Sequence, residues 1–265
     1  MTSSSKTILR LWFCFFILPL VLPAFLMGIW QIASDHGFLK PSILPAPWII
    51  VQTLAVLLKS GELFDNLKIS LLRVLEGFGL GAGLGLILGF SMGLSRRMER
   101  ALVLLTGLLR PIPTIAWVPA LILWMGIGES SKVTVIAVGS FWPVLLSAIQ
   151  GVRSTDPKYL EVARVLEKDT YTLVTKIIIP SALPSIFTGL RVGMGIAWAS
   201  VVGAELIAAS SGIGYMIMYA REVSQPDVML VGVAAIGLTG LLIDFLLLKL
   251  QRRLLKWNPS WEAGS

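Results

Sequence analysis

Long apolar runs alternate along the chain with short polar segments rich in lysine and arginine. A helix needs roughly 20 apolar residues to cross the hydrocarbon of a bilayer. Six stretches approach or exceed that length: residues 11–33, 77–94, 101–127, 133–150, 185–209 and 228–248. Pro111, Pro113 and Pro119 interrupt the third. Between the first two stretches, residues 35–76 read as an outer interfacial segment. The sequence SILPAP at 42–47 is a proline-punctuated turn. Residues 48–59 then space Ile49, Thr53, Val56 and Leu57 as an amphipathic helix lying on the membrane surface. Residues 63–75, of mixed charge, lead into the second span. The pattern predicts an all-α integral membrane protein of about six transmembrane helices, organised as one domain over residues 1–265.

Composition supports this reading. Only 14% of the residues are charged and 55% are apolar, whereas soluble domains carry roughly a quarter charged residues. The missing polar surface must face lipid. The net charge of +7 does not indicate a nucleic-acid binder, because the basic residues sit in short clusters between apolar runs. With the N-terminus inside, fourteen of the 22 Lys and Arg residues fall on inner segments. Six fall on outer ones (Lys40, Lys59, Lys68, Arg73, Lys132 and Arg221) and two, Arg110 and Arg191, within spans. The basic-rich side faces the cytoplasm, and an even number of spans places both termini there. Lys6 and Arg10 precede the first apolar stretch, which is longer than a signal-peptide core and reads as a retained span. One cysteine, Cys14, and one histidine, His36, leave no basis for a disulfide or a thiolate metal site.

In the second stretch Gly77, Gly81, Gly85, Gly89 and Gly93 recur every four residues, with Gly79 and Gly83 beside them. They form a groove on one helix face where another backbone can approach closely. The groove serves either fixed packing within the subunit or an interface where helices slide.

The longest inner loop, residues 151–184, is too polar to span and too regular to be a linker. Asp156-Pro157 is a helix start signal. Leu160, Ala163, Val165 and Leu166 form an apolar stripe, with Glu161, Arg164, Glu167 and Lys168 on the other face. A second short helix is expected from 170 to 178, ending at Pro180. The stripe packs either on its own bundle or against a soluble partner.

Glu161-Val162-Ala163, followed at a fixed gap by Ile179-Pro180, resembles the EAA loop of bacterial ABC importer permeases. Val162 replaces the second position, Glu167 stands at the usual glycine, and Ile179 replaces leucine before the proline. A glycine there permits a tight turn between two short helices, so Glu167 predicts a more continuous helix or an altered docking angle. Further segments are similar to the same family: ILPAP at 43–47, SLLRVLEGF at 70–78, LRPIP at 109–113, LWMGIGESSK at 123–132, AELIA at 204–208 and GIGY at 212–215. Together they resemble the branch serving aliphatic sulfonates, taurine, nitrate, bicarbonate and pyrimidine or thiamine precursors. The tail LKWNP at 255–259 is most similar to aliphatic sulfonate permeases.

The resemblance implies a type I importer fold in a bacterial plasma membrane. Two permease copies would form the pathway, expected to be a homodimer. Two ATPase subunits would bind inside, and a periplasmic or lipid-anchored binding protein would deliver a small organic anion, an alkanesulfonate or taurine. The loop bearing Glu161, Val162, Ala163, Arg164, Glu167 and Pro180 would be the coupling helix. The chain has no G-x-x-x-x-G-K-[ST] phosphate loop, so ATP and Mg are expected on the partner ATPase and no cofactor in this chain. Two other classes fit less well. An intramembrane hydrolase would need a nucleophile and base within reach, and His36 is the lone histidine, in an outer loop. An ion-coupled secondary transporter would show a longer, repeated chain and would leave the inner helical loop unexplained.

Ionisable groups within spans are costly, at about 2.5–3.5 kcal/mol or more at mid-bilayer. Arg191 and Arg110 either contact an anionic substrate, offsetting its desolvation, or snorkel toward the headgroups. Glu205 and Asp244 are expected to pair with helix neighbours, since like charge disfavours contact with an anionic substrate. Backbone freed by Pro111, Pro113 and Pro119 must be buried or face a cavity, which makes Arg110–Pro119 either pathway lining or a structural kink. Trp12, Trp30, Trp117, Trp124, Trp142 and Trp198 read as interfacial anchors, with Trp117 also a gate candidate.

Overall fold

The computed structural model describes residues 18–257. In chain order the helices are α1 (Leu18–Asp35), α2 (Pro47–Ser60), α3 (Glu62–Leu94), α4 (Arg96–Leu109), a 3-10 turn (Thr114–Trp117) and α5 (Val118–Met125). They continue with α6 (Glu129–Arg153), α7 (Pro157–Val165), α8 (Thr170–Leu173), a π-helical turn (Val174–Ile178), α9 (Ile179–Ala208), α10 (Ile213–Glu222) and α11 (Pro226–Leu254). No strand occurs among the described residues. Two compact units divide the chain, residues 1–63 with 216–234 and residues 64–215 with 235–265.

In the first unit, α1 ends at Gly37 in the left-handed region, φ +76, with the Phe38 N–H reaching back to the Ala33 carbonyl at 3.0 Å. Gln31 accepts the Trp48 N–H at 3.1 Å and donates to Asp35 at 2.9 Å, tying the start of α2 to α1. Pro47 opens α2 at a position where no N–H is needed. Left-handed Gly61, φ +81, closes it. Trp48, Val51, Val56 and Leu58 stay exposed while Leu57 is buried. Thr53 Oγ1 donates to Asp227 Oδ2 at 2.6 Å.

In the second unit the glycine groove forms a seam between α3 and α6. A Cβ added at Gly77, Gly81, Gly85, Gly89 or Gly93 would lie 2.2–2.9 Å from atoms of Ile136, Ala137, Ser140, Phe141, Ala148, Leu145 or Val152. Gly79 and Gly83 face open space. Only hydrogen at those five positions lets the two backbones come this close. On its other side α6 packs along α9, where a Cβ at Gly189 would lie 2.3 Å from Ser147. The core comprises Val74, Ile136, Met194, Ala197, Trp198 and Val201. Trp198 is therefore no interfacial anchor: it is 6% exposed, and its indole N–H donates to the Ile236 carbonyl at 3.1 Å.

Several boundaries differ from the hydropathy pattern. Four helices are long and apolar enough to cross a membrane, and a bent pair brings the number to five. Six were expected; residues 11–17 of the first, with Trp12 and Cys14, lie outside the described residues. The expected third span is α4 followed by residues 114–125, bent by 88°, because the Pro111–Pro113 turn cannot continue a helix. The 35–76 segment ends earlier than expected. Helix α3 begins at Glu62 and runs 33 residues, about 50 Å at 1.5 Å per residue. Its polar first half belongs to the helix because Ser70 and Arg73 are buried and bonded.

Candidate functional site

The loop between α6 and α9 is built from three local signals. Asp156 Oδ1 accepts the Lys158 N–H at 2.9 Å, and Pro157 takes the first helical position of α7. At its far end, Leu166 N–H donates to the Val162 carbonyl and Lys168 N–H to the Ala163 carbonyl, both at 3.0 Å. Glu167 adopts φ +48. This is the left-handed helix stop usually built on glycine. The expectation of a more continuous helix is corrected: the tight turn forms with glutamate in it, because two backbone hydrogen bonds hold the conformation. The following helix is capped by Asp169, whose carboxylate accepts from the Thr172 hydroxyl at 2.6 Å and the Thr172 N–H at 3.2 Å. Those bonds, the hydroxyl first, hold its carboxyl below the usual aspartate range.

Pro180 does not end the second helix as expected. Residues 174–178 widen into a π turn, and α9 continues from Ile179 with Pro180 in its first turn. A proline ring crowds the carbonyl four residues back and lacks an N–H, and the wider turn makes room for it. Ala163 is buried and Leu160 half-buried, while Glu161 and Val162 are exposed. Val165 and Leu166 also face outward, at 82% and 59% exposure, rather than joining Ala163 in one stripe. Lys158, Glu161, Val162, Val165 and Leu166 line an open notch of about 380 Å³. The Arg164 side chain lies outside the described residues.

A second polar site lies where α3, α6 and the α9–α10 connection meet. Glu205 is fully buried and accepts from Ser70 Oγ at 2.8 Å, Arg73 NH1 at 2.7 Å and the Gly214 N–H at 2.9 Å. Arg73 NH1 also donates to the Ser211 carbonyl at 2.7 Å. Its other face forks onto Glu129, Nε to Oε2 at 2.6 Å and NH2 to Oε1 at 2.7 Å. Lys132 Nζ donates to the same Oε1 at 2.9 Å. Gly212, φ +110, presses on the Glu205 carboxylate, where a Cβ would come within 2.4 Å. The N–H groups opening α10 are bonded in turn to Asn66, Ser70 and Glu205, satisfying donors that a helix start leaves open. Among the described residues no cluster of three or more His, Cys, Asp or Glu is placed to hold a metal ion.

Arg191 pairs with Asp244, Nε to Oδ1 at 2.5 Å and NH2 to Oδ2 at 2.7 Å. Trp198, Gly240 and Asp244 line a void beside it. Arg110 is exposed at the end of α4, followed by exposed Pro111 and Pro113. Trp117 is half-buried with its indole N–H unpaired among the described residues. None of these residues joins the ion network.

Residues 81–256 match the family described as the inner membrane component of binding-protein-dependent transport systems. The chain belongs to that family. This permease is 45% identical over 244 residues to SsuC of Bacillus subtilis (strain 168), named an aliphatic sulfonates transport permease protein, covering 92% of this chain and 88% of that one. It is 35% identical over 240 residues to TauC of Escherichia coli (strain K12), named a taurine transport system permease protein, covering 89% and 87%. A chain of an amino acid ABC transporter solved with histidines shares its fold, with TM-score 0.64 and 18% identity over 76% of this chain and 97% of that one.

The permease is an integral inner membrane protein and the transmembrane subunit of an ATP-driven ABC importer, not an enzyme itself. It works with a separate ATPase and a substrate-binding protein. In this permease the ion network is not legible from the hydropathy pattern, which puts Arg73 and Lys132 on outer segments. Glu205 carried the signal: a carboxylate in an apolar run is costly unless it is paired, and Arg73, flanked by Leu71, Leu72, Val74 and Leu75, is one of several cations beside apolar residues, with Arg110 and Arg191, so its partner could not be chosen from sequence.

Proposed function

We propose that this permease, as a homodimer on two ATPase subunits, forms the pathway by which a small organic sulfonate enters the cell. The observation that carries the reading is that relatives at 45% and 35% identity, each matched over about nine tenths of this chain, are named for aliphatic sulfonates and for taurine. Both substrates present the same group, a sulfonate. The termini face the cytoplasm, the spans sit in lipid, and a periplasmic or lipid-anchored binding protein delivers the anion on the outer side. ATP and Mg are held by the ATPase subunits, and this chain carries no cofactor of its own.

Helix α7 is the coupling helix. Ala163 seats it on the bundle, and Glu161, Val162, Val165 and Leu166 meet the ATPase; the exposed notch lined by the latter four supports this role. Arg164 is assigned to the same coupling role from its place in the sequence motif. Glu167 sets the turn, and Pro180 passes the motion into α9. Burying an exposed valine or leucine contributes about 1.5–3 kcal/mol, so three such side chains supply a firm docking energy. Arg110, Pro111, Pro113, Trp117 and Arg191 line the pathway, with Asp244 neutralising Arg191 between substrates. Gly77, Gly81, Gly85, Gly89 and Gly93 keep α3 and α6 moving as one body.

The test is ATP hydrolysis in liposomes by the complex with its ATPase and binding protein, supplied in turn with an alkanesulfonate, taurine, nitrate or bicarbonate. A sulfonate is expected to stimulate turnover, and Glu161→Lys to abolish the stimulation and loosen ATPase binding. Stimulation by bicarbonate or nitrate alone would overturn the substrate reading. Intact uptake in Glu161→Lys would overturn the docking role.

A further inference from the structure

The ion network holds one carboxylate that differs from the rest. Arg73, Lys132 and Glu205 are buried, with side-chain exposures of 4%, 5% and 0%, whereas Glu129 is 61% exposed. Glu205 is enclosed by Ser70, Arg73, Gly212 and Gly214. Among the described residues, Glu129 is held by Arg73 and Lys132 alone. It is the first residue of α6, preceded by Gly126 at φ +81 and by Gly128, and its side chain is open on one side. The two cations are shut behind it.

Three donors from two buried cations converge on one anionic group. Arg73 Nε, Arg73 NH2 and Lys132 Nζ aim three N–H groups at Glu129, which offers two oxygens, so Oε1 takes both Arg73 NH2 at 2.7 Å and Lys132 Nζ at 2.9 Å. A sulfonate has the same single negative charge and three oxygens, one for each donor. Its replacement of the Glu129 carboxylate leaves the charge of the buried group unchanged, while Glu129 becomes solvated. Arg73 keeps Glu205 and the Ser211 carbonyl throughout, so the guanidinium does not need to move.

We propose that Arg73 and Lys132 form a sulfonate-binding seat that Glu129 occupies and vacates by exchange. The seat rests on the sulfonate reading above. It gives the permease its own contact with the substrate headgroup, separate from Arg110 and Arg191. Glu129 acts as a tethered competitor that keeps the cations paired when no substrate is present and lowers the affinity enough for release.

Binding of radiolabelled methanesulfonate to the permease–ATPase complex in nanodiscs, without binding protein, tests the exchange. The native complex is expected to bind weakly, Glu129→Gln at least tenfold more tightly, and Glu129→Gln combined with Lys132→Met no better than native. Unchanged affinity in Glu129→Gln overturns the proposal, as does tight binding that survives loss of Lys132. Capture of the binding protein by Glu129→Gln without binding of methanesulfonate also overturns it and assigns the seat to docking. If neither Glu129→Gln nor Glu129→Ala assembles with the ATPase, Glu129 is a fixed structural partner and the exchange is refuted. Sulfonate uptake by the native complex reports separately on the function. Uptake with no gain in Glu129→Gln removes only the seat, and absence of uptake for every sulfonate removes the substrate reading.

Discussion

Replacing Gly81 and Gly83 by alanine, one at a time, separates close packing from helix propensity on a single helix. Both lie within α3, two residues apart. A Cβ at Gly81 would lie 2.2 Å from the Ala137 carbonyl oxygen and 2.2 Å from Ser140 Oγ. The first is backbone of α6 and cannot rotate away. Restoring ordinary van der Waals separation requires the helices to part by roughly 1 Å, which forfeits much of the dispersion energy of the contacts beside it. Overpacking of this kind costs about 1–3 kcal/mol. In lipid no hydrophobic force between the helices offsets the loss. At Gly83 nothing lies within 4 Å, so alanine there gains helix propensity, up to about 1 kcal/mol. The expected result is opposite signs: Gly81→Ala lowers the thermal unfolding midpoint of the purified permease in detergent and Gly83→Ala raises it slightly. Equal shifts, or a neutral Gly81→Ala, would refute the seam as the reason for the glycine spacing.

Two further outcomes follow from the loop. Glu167→Gly relieves a left-handed conformation that costs an L-residue about 1–2 kcal/mol. The greater freedom of glycine in the unfolded chain returns about 0.5–1 kcal/mol of that. The turn should become more stable by up to about 1 kcal/mol, seen as slower amide exchange at residues 166–168, and faster exchange would contradict the strain argument. The Asp169 cap gives a pH dependence whose sign is set by its lowered pKa. Its contribution is fully present above the ordinary aspartate value of about 3.9 and is lost as pH falls through the depressed folded value. Amide protection of Thr172 should therefore hold between pH 7 and 5 and fall in stronger acid, and Asp169→Asn should remove that acid-dependent part. An identical acid profile in the Asn variant would remove the cap as its cause.

The apolar and polar pattern of the chain dictates the class of structure. Long apolar runs with few charges leave a helix in lipid as the way to satisfy the backbone, and short polar segments mark where the helices end. The sequence also dictates the local turns: Asp156-Pro157 starts α7, and the glycines at every fourth residue of α3 mark the face that meets another helix. Which helix meets that face is a tertiary fact, because a glycine groove accepts any close partner; the structure chose α6. Tertiary structure also decided where the charges go. In sequence, Arg73, Glu129, Lys132 and Glu205 are spread over 132 positions, and a cation beside apolar residues reads equally as a loop end. Only folding shows that Arg73 lies behind Glu129 and against Glu205, since burial of a charge depends on a partner that the local sequence does not contain. Glu167 shows the same limit at a single residue. Its side chain argues against a left-handed turn, but hydrogen bonds from Leu166 and Lys168 back into α7 outweigh that preference.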